Sequence, residues 1–276
     1  MERIRKAIEK ARHERVETTP LKPVRSPLAT ARDTAPRIDD VNERWSALPA
    51  FAPDPRTVRR GRIVTIEQED PAFLSFDKLR TKLLTTLRQN NWTSVGVTSA
   101  TPECGKTVLA VNLAFSLSRQ PETRTVLVDL DLRRPAIANL LRVETGHSVA
   151  TVMAGKASWK DHMVRFGGNL AIATNNLTVK ASAELLQTRR AARAFEQLRE
   201  TYQPDVIIAD LPPMLSTDDV MSFLPNVDCM LLVAAAGAST IDQVDDCERQ
   251  LAEQSHVAGV VLNKYRYGQD EDSYYY

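Results

Sequence analysis

The residues that most clearly carry chemistry form one short segment built around a glycine, a lysine and a threonine. Residues 100–107 read Ala-Thr-Pro-Glu-Cys-Gly-Lys-Thr, which matches the phosphate-loop (P-loop) pattern of a small residue, four others and then Gly-Lys-Thr. A glycine at this point lets the backbone approach a phosphate, and the helix that follows directs free N–H groups at the same anion. We therefore expect a nucleotide here, with Lys106 neutralising its β- and γ-phosphates and Thr107 ligating Mg²⁺.

Ala100 and Cys104 are the two unusual residues of this segment. The first position of the pattern is usually glycine and is Ala100 here, and Cys104 lies inside the loop. Oxidation of Cys104 would block the phosphate site, but we favour the simpler interpretation of a small residue that the loop tolerates. The predicted nucleotide-binding residues of the segment are Ala100, Thr101, Pro102, Glu103, Cys104, Gly105, Lys106, Thr107 and Val108.

Aspartates end two apolar runs elsewhere in the chain. One run reads Thr-Val-Leu-Val-Asp-Leu-Asp and ends in Asp129 and Asp131; the other reads Asp-Val-Ile-Ile-Ala-Asp and ends in Asp210. Alternate residues of an extended strand face opposite sides, so Asp129 and Asp131 share a site only if the chain turns there. A lone strand-end aspartate usually caps a turn. Two such strands beside a P-loop instead indicate a ligand site at the carboxyl edge of a sheet, where carboxylates hold Mg²⁺ through water.

The elements that position these residues alternate between strand and helix. Continuous apolar runs separated by amphipathic helices are typical of an α/β fold, a mostly parallel sheet with helices on both faces. The fold class predicted is therefore a P-loop NTPase. The predicted strands are 94–99, 125–129, 170–173, 205–210, 229–233 and 257–263, and the predicted helices lie near 105–119, 189–202 and 240–254.

Composition divides the chain into four regions. Residues 1–16 carry Ile4, Ala7, Ile8 and Ala11 at helical spacing and predict a short N-terminal helix. Residues 17–60 hold seven of the fifteen prolines and few periodic apolar residues, which predicts a flexible linker. The nucleotide-binding domain is predicted over 61–264, and residues 265–276 form a tyrosine-rich tail.

Charge and cysteine content exclude several classes of protein. The net charge is +1, so no overall field demands a nucleic-acid partner. We see no apolar run long enough to span a bilayer and no signal peptide at the charged N-terminus. Three cysteines without metal-ligand spacing fit a reduced, cytoplasmic protein, and Cys229 and Cys247 are expected to pack in the interior.

The three motifs together resemble those of the bacterial tyrosine kinases (BY-kinases), the CpsD/CapB-like enzymes of capsule and exopolysaccharide synthesis. Their second motif, three apolar residues and then Asp-x-Asp-x-Arg, corresponds to residues 126–133, and their third, apolar residues and then Asp-x-x-Pro, to residues 207–213. The second motif is the most specific, because most P-loop proteins lack it. The resemblance extends over about residues 61–276.

This resemblance implies an ATP-dependent and Mg²⁺-dependent autokinase in which Lys106 and three acids are catalytic. Asp129 would accept the proton of the attacking phenol, and Asp131 and Asp210 would hold Mg²⁺ together with Thr107. Asn263 would lie near the adenine. We assign Arg133 no role beyond matching the motif.

The expected phosphate acceptors lie in the tail. Five of the six tyrosines of the chain are in its last twelve residues, namely Tyr265, Tyr267, Tyr274, Tyr275 and Tyr276. Asp270, Glu271 and Asp272 precede the last three, and we expect them to bring the tail to a basic surface of a neighbouring subunit. A sticky or disordered tail is the alternative interpretation.

Two departures from the family bear on assembly and partners. Members often carry Glu-x-x-Arg-x-x-Arg before the first core strand, a motif that supports rings, and residues 74–80 retain only Arg80. Many relatives are fused to a transmembrane activator. We find no such segment here, so the resemblance implies either a separate membrane polysaccharide co-polymerase that recruits this chain to the inner face of the membrane or no such activator. Neighbouring subunits for trans-phosphorylation and a phosphotyrosine phosphatase are the further partners that it implies.

Two other functions remain open at this point. Partitioning or site-selecting ATPases of the ParA/MinD kind share the fold, but they usually place a lysine five positions before the P-loop lysine, where this chain has Thr101. The second alternative is a binding protein without catalysis, which would bind ATP and regulate a polysaccharide co-polymerase through its tail.

Overall fold

The computed structural model describes residues 38–67, 70–143, 146 and 148–265. The predicted helix over residues 1–16 and the tail beyond Tyr265 lie outside these described residues. The helices are α1 Ile38–Ser46, α2 Pro55–Arg60, α3 Val64–Glu67, α4 Ala72–Asn90, α5 Lys106–Ser118, α6 Ile137–Leu141, α7 Val149–Met153, α8 Ser182–Leu186, α9 Arg189–Tyr202, α10 Asp219–Phe223 and α11 Ile241–Gln254. The strands are β1 Ser94–Ser99, β2 Thr125–Asp129, β3 Met163–Phe166, β4 Leu170–Ala173, β5 Val206–Asp210, β6 Cys229–Ala235 and β7 His256–Asn263.

These strands form one seven-stranded sheet in the order β3-β4-β2-β5-β1-β6-β7. All neighbours pair in parallel except β3 and β4, which are antiparallel. Every residue of β1, β2, β5 and β6 is buried, because helices cover both faces of the sheet and leave no polar face on these strands. The predicted α/β fold with a mostly parallel sheet is confirmed.

The two faces of the sheet belong to separate hydrophobic clusters. Val126 and Val128 of β2 face the side that α1, α9, α10 and α11 cover, whereas Leu127 between them faces α4, α5 and α6. This alternation follows from the two-residue period of a strand. Helix α5 lies so deep in the second cluster that nearly all of its residues are buried, which holds its N-terminus firmly at the carboxyl end of β1.

The predicted linker over residues 17–60 is wrong for residues 38–60. Helix α1 packs into the first cluster through Val41 and Trp45, which are 1% and 2% exposed. The Trp45 indole Nε1 donates a hydrogen bond of 2.8 Å to the Tyr202 carbonyl oxygen, and its ring meets that of Tyr202 edge to face. The sequence did not reveal this helix because its two anchoring side chains give too short a periodic pattern.

Residues 49–66 then cross the edge of the sheet from one face to the other. The Phe51 N–H donates to the Arg165 carbonyl of β3 (2.7 Å), and the Arg165 N–H donates to the Pro49 carbonyl (2.8 Å). Beyond them, the Thr65 hydroxyl donates to the Asn112 carbonyl of α5 (3.0 Å). Residues 38–60 therefore belong to the folded domain that was predicted to begin at residue 61, and the segment that contains Pro49 and Phe51 covers the edge of β3.

The remaining predicted elements agree with the structure to within two residues at their ends. All six predicted strands are present, and the predicted helix over 189–202 coincides with α9. Strand β3 and helix α4 were not predicted. Among the described residues, no helix combines the length and the apolar composition that crossing a bilayer requires.

Candidate active site

The P-loop connects β1 to α5 and has the backbone shape that phosphate binding needs. Gly105 has φ +84°, in the left-handed region that favours glycine, and a Cβ at this residue would lie 2.4 Å from Asn263 Nδ2. Ala100, at the usual glycine position, is completely buried, and its carbonyl accepts a hydrogen bond from the Leu215 N–H (3.1 Å). A small side chain is therefore sufficient at residue 100, whereas residue 105 requires glycine.

Asn263 fastens the end of β7 to this loop. Its side-chain Nδ2 donates to the Cys104 carbonyl oxygen (2.9 Å), and the next residue, Lys264, donates from Nζ to the Glu103 carbonyl oxygen (2.6 Å). The sequence singled out Asn263 but missed Lys264, which no motif marks. Glu103 itself has φ +63°, so these contacts stabilise a strained part of the loop.

Lys106 lies at the centre of the predicted acids. Its Nζ donates to Asp131 Oδ2 at 2.8 Å and lies 3.6 Å from Asp210 Oδ1. Nζ is also 3.3 Å from the Thr107 hydroxyl oxygen. The tertiary structure therefore brings together the lysine, the threonine and two of the three aspartates that the sequence nominated from separate segments.

Asp129 joins this group because the chain folds back after β2. Asp129 pairs in register with Asp210 of the neighbouring strand β5. Its Oδ2 accepts hydrogen bonds from the backbone N–H groups of Ala136 (3.2 Å) and Ile137 (3.1 Å), at the start of α6. Its other oxygen, Oδ1, is buried and has no hydrogen-bond partner among the described residues.

The side chain of Asp131 does not follow the alternating directions of the side chains in β2, because that strand ends two residues before it. Its Oδ1 accepts a hydrogen bond from the Arg134 N–H (3.0 Å), so the loop itself turns the carboxylate toward Lys106. The neighbouring Leu130 and Leu132 remain completely buried. The turn that the sequence analysis required for Asp129 and Asp131 to share a site is present.

Burial and mutual charge shift the pKa values of this cluster. Burial raises the pKa of Asp129 well above its ordinary value, and the charge of Asp210 adds to the increase. Burial also raises the pKa of Asp210, against the opposing charge of Lys106. Burial alone would lower the pKa of Lys106, but the charges of Asp210 and Asp131 outweigh it and raise that pKa. The lysine is therefore firmly protonated beside acids whose charge is costly to bury.

The donor set fits a magnesium ion. Asp131, Asp210 and Thr107 offer hard oxygen atoms, and neither carboxylate oxygen of Asp210 accepts a hydrogen bond from the described residues. The described residues contain no group of three or more His, Cys, Asp or Glu that would form a metal cage of protein atoms alone. Mg²⁺ is usually bound by one or two carboxylates together with water and phosphate oxygens, so such a cage is unnecessary.

Two cavities flank the P-loop. One has a volume of about 470 Å³ and is lined by Lys106, Asp131, Arg133 and Pro213, among others. The other has a volume of about 710 Å³ and is lined by Val108, Asn263 and Lys264 on one side and by Arg59 and Arg62 on the other. Both share Gly105. A nucleotide with its phosphates at the loop therefore has room on either side.

Arg133, which the motif left without a role, forms an ion pair. Its Nε donates to Asp219 Oδ2 at 2.9 Å, and the Asp219 side chain is fully buried. This pair ties the loop after β2, which lines the smaller cavity, to the start of α10. Asp219 was not predicted as a site residue, although it is the second of two adjacent aspartates in the segment Thr-Asp-Asp-Val.

The three cysteines occupy different surroundings. Burial opposes ionisation of Cys104, but hydrogen bonding with the Ser239 and Thr101 hydroxyls lowers its pKa. Its Sγ lies 3.4 Å from Thr101 Oγ1 and 3.5 Å from Ser239 Oγ. Cys229 and Cys247 are completely buried, in agreement with the predicted packing role, and burial raises their pKa values to about 12 and about 11.

Arg80, the remnant of the ring motif, is engaged within its own chain. Its Nη1 donates to Asp77 Oδ1 (2.8 Å) and to the Ser116 carbonyl oxygen (3.1 Å). Arg119 donates to the same Asp77 oxygen at 2.9 Å. The structure therefore gives Arg80 a role within the domain, where it fixes α4 to α5.

The predicted acceptor tyrosines are only partly described. Tyr265 lies two residues beyond Asn263, the last residue of β7, and is 49% exposed. Tyr267, Tyr274, Tyr275 and Tyr276 lie outside the described residues. The chain therefore enters its tail within a few residues of the phosphate site.

Comparison with known proteins identifies relatives of this site. The family model of the CobQ/CobB/MinD/ParA nucleotide-binding domain matches residues 95–275. The tyrosine-protein kinase etk of Escherichia coli is 30% identical over 196 residues, which are 70% of this chain and 27% of that kinase. The succinoglycan biosynthesis transport protein ExoP of Rhizobium meliloti is 27% identical over 176 residues, which are 62% of this chain and 22% of ExoP.

A solved structure agrees with these sequence matches. The kinase domain of the E. coli tyrosine kinase ETK superposes with a TM-score of 0.67 at 28% identity and covers 75% of this chain and 84% of that domain. The chain spans about a quarter of the length of the two curated relatives described above. The resemblance to bacterial tyrosine kinases that the motifs predict is confirmed.

Proposed function

Because the chain belongs to the CobQ/CobB/MinD/ParA nucleotide-binding family, we propose that it binds ATP and phosphorylates tyrosines of its own C-terminal tail. The observation that carries this proposal is the convergence of Lys106, Asp129, Asp131 and Asp210 beside one P-loop. Phosphoryl transfer needs alignment and charge neutralisation more than covalent chemistry, and a lysine surrounded by carboxylates supplies both once a nucleotide is bound.

Lys106 and a magnesium ion held by the oxygen donors would each neutralise part of the negative charge of the nucleotide. Lys106 would leave Asp131 to pair with the β- and γ-phosphates, while Asp131, Asp210 and Thr107 would hold Mg²⁺. When bound, the ion would supply positive charge that neutralises the charge developing on the phosphate oxygens. The backbone N–H groups at the start of α5 would orient the phosphates.

Asp129 is the proposed general base. Its raised pKa brings the carboxylate closer to the range in which it can take the phenolic proton. One of its oxygens is fixed by Ala136 and Ile137, and the other is free of partners among the described residues. A fixed orientation with one unengaged oxygen is the arrangement that proton transfer at a defined atom requires.

The tail is the proposed substrate. Its tyrosines Tyr265, Tyr267, Tyr274, Tyr275 and Tyr276 follow an exposed segment that leaves the domain near the P-loop. A phenol attached so close to the site can react in its own chain or in a neighbouring subunit. We propose the neighbouring subunit as the main acceptor, because the first residues of the tail are held against the loop by Asn263 and Lys264.

The biological setting is part of the same proposal. One relative is named for succinoglycan biosynthesis and transport, which supports a role in regulating exopolysaccharide or capsule polymerisation and export. A separate membrane co-polymerase would activate the chain at the inner face of the membrane, and a phosphotyrosine phosphatase would reverse the reaction. The chain itself would then act in the cytoplasm.

Mass spectrometry of the full chain after incubation with Mg²⁺ and ATP tests the proposal. We expect phosphate on tail tyrosines of the wild type and none on Lys106→Met or Asp129→Asn protein. The incubation should include the cytoplasmic part of a candidate co-polymerase, since activation by a partner is part of the proposal.

The other outcomes point to the two competing functions. ATP hydrolysis without any tyrosine labelling would favour an ATPase of the ParA/MinD kind, although Thr101 gives that site no second cation. ATP binding with neither hydrolysis nor labelling would favour a regulatory binding protein. Either result would reject the kinase.

A further inference from the structure

A third cavity, away from the nucleotide site, is lined by basic side chains. It has a volume of about 480 Å³, and its walls include Arg56 and Arg60 of α2, Arg142 after α6, Asn139 and Leu140. None of its lining residues lines either cavity beside the P-loop. We call it the arginine pocket. Arg56 and Arg60 precede the segment that the family model matches, whereas Asn139, Leu140 and Arg142 lie within it, so the matched segment alone does not form the pocket.

Local structure places these arginines together. Arg56 and Arg60 are four residues apart on α2, so they share one face of that helix. Asp54 begins the helix by accepting hydrogen bonds from the Thr57 N–H (2.9 Å) and hydroxyl (3.0 Å). A short helix with such a cap and a proline in its first turn holds the face in a fixed direction.

Arg142 reaches the same pocket from α6. It has φ +53°, closes the C-terminus of that helix and lines the pocket. Gly61, at the end of α2, allows α6 to approach closely, since a Cβ there would lie 2.9 Å from Leu140 Cδ1. The two helix ends therefore meet at a glycine, with arginines on both sides of the gap.

The charge of the pocket is only partly neutralised within the part of the chain that the structure describes. No ion pair within 4.0 Å joins Arg56, Arg60 or Arg142 to an acid there. The one acid in the lining, Asp54, accepts hydrogen bonds from Thr57, and these, with the smaller effect of the Arg142 and Arg56 charges, lower its pKa. Three guanidinium groups against one engaged carboxylate favour an anionic ligand.

We propose that the arginine pocket binds a phosphorylated tyrosine of the chain's own C-terminal tail, residues 265–276. Guanidinium groups bind phosphate in a bidentate manner, and their flat faces together with Leu140 can pack against the phenol ring. The volume lies within the range of ligand-sized pockets. The acidic run Asp270–Asp272 beside the last three tyrosines adds complementary charge. This inference rests on the proposed function, because the tail must first be phosphorylated.

The tail is long enough to reach. Lys264, the residue before the tail, and Arg59 of α2 line the same cavity of about 710 Å³, so the two segments are separated by no more than the width of that cavity. Eleven residues follow Tyr265, and an extended chain covers roughly 3.3 Å per residue. The last tyrosines can therefore reach the far side of α2. A docked tail would hold the product of one round of transfer away from the nucleotide site.

A binding experiment with a synthetic peptide tests the proposal without relying on kinase activity. The peptide carries the sequence of residues 265–276 with phosphate on Tyr274, Tyr275 and Tyr276 and a fluorophore at its N-terminus. The protein is the full chain with its five tail tyrosines replaced by Phe. We expect fluorescence anisotropy to show binding at least roughly ten-fold tighter than for the unphosphorylated peptide.

Substitutions locate the binding site. Arg56→Ala, Arg60→Ala and Arg142→Gly should each weaken phosphopeptide binding by roughly ten-fold, and glycine suits the left-handed backbone of residue 142. Arg193→Ala removes an equal charge from exposed α9, where Arg193 pairs with Glu200, and should leave the affinity unchanged. Circular dichroism confirms that each variant is folded.

Two results would overturn the inference. One is equal affinity for the phosphorylated and unphosphorylated peptides. The other is phosphopeptide binding that none of the three arginine substitutions weakens. Because the peptide is made by synthesis, a chain that fails to phosphorylate tyrosine would reject the proposed kinase and leave this test intact. A chain that phosphorylates its tail but ignores the peptide would reject only the arginine pocket.

Discussion

The side chains of Lys106 and Asp131 form a direct ion pair, with Nζ 2.8 Å from Oδ2. The same lysine is proposed to bind phosphate and the same aspartate to hold Mg²⁺, so binding of a magnesium nucleotide must exchange this contact for two others. The exchange is favourable only if nucleotide and ion arrive together, since either alone would leave one buried charge without a partner. The pair thus links lysine and metal site energetically.

Asp131→Asn should lower the rate of tail phosphorylation by roughly 100-fold or more, because it removes a preorganised charge from the site. The amide keeps the shape of the side chain and can still accept the Arg134 hydrogen bond, so folding should be preserved. Phosphotyrosine labelling measured against MgCl₂ concentration checks this. Asp246→Asn, which breaks an exposed ion pair with Arg249, is the control and should label normally; a normal rate for Asp131→Asn would remove that residue from the mechanism.

Replacing Tyr265, Tyr267, Tyr274, Tyr275 and Tyr276 by Phe should remove most phosphotyrosine while ATP binding persists. The reason is that the substitution removes acceptor hydroxyls and touches none of the residues that contact Lys106. Labelling and nucleotide affinity are measured on the same preparation. Labelling that stays at the wild-type level would show that the acceptor lies outside the tail. The one tyrosine left in that variant is Tyr202, which is buried.

Gly105→Ala should weaken nucleotide binding and destabilise the domain by about 1–3 kcal/mol. An alanine at residue 105 would have to adopt a φ of +84°, which is unfavourable for a residue with a side chain. Its Cβ would also displace Asn263 from the Cys104 carbonyl. Thermal unfolding and nucleotide titration measure the two effects. Gly168→Ala is the matched control, since nothing lies within 4 Å of its Cβ position; equal behaviour of the two variants would contradict the role of Gly105.

Trp45→Ala should lower the free energy of unfolding by about 3–5 kcal/mol, the usual range for a buried tryptophan. It removes the ring that packs on Tyr202 and the hydrogen bond to the Tyr202 carbonyl. Urea denaturation measures the change. Leu74→Ala, at a residue that is 62% exposed, should change stability little. A small effect of Trp45→Ala would mean that α1 adds little to the domain.

Asp228→Asn should destabilise the protein by roughly 1–2 kcal/mol at neutral pH. Burial opposes ionisation of Asp228, but hydrogen bonds from Thr93 and Ser94 and the charge of Arg199 lower its pKa below the ordinary value of 3.8. Because the folded-state pKa is the lower one, the charged form contributes stability above pH 3.8, and this contribution is lost as the pH falls through the folded value. The difference in stability between the two proteins should therefore shrink as the pH falls below 3.8 and disappear below the folded-state pKa of Asp228. A difference that grows toward acid pH would reverse the assigned sign.

The candidate site could largely be predicted from the sequence because its parts are contiguous motifs. Lys106 and Thr107 follow a strand, and Asp129, Asp131 and Asp210 end two others, so parallel pairing alone brings them to one edge of the sheet. The motifs could not predict the hydrogen-bond and ion-pair partners of each side chain. The hydrogen bonds from Ala136 and Ile137 to Asp129 and the pairing of Arg133 with Asp219 depend on how a loop turns back.

The alternation of strands and helices, the P-loop and the identity of the acids could all be predicted from the order of residues, since periodicity and spacing are properties of neighbouring residues. That residues 38–60 belong to the domain became visible only in the folded chain, because Trp45 and Tyr202 meet across 157 residues and no local pattern reports such a contact. The tertiary structure alone placed Lys264 at the loop and assembled the arginine pocket from two helix ends. Contacts of this kind form only after the sheet has fixed the positions of its helices, and for that reason they cannot be read from any single segment.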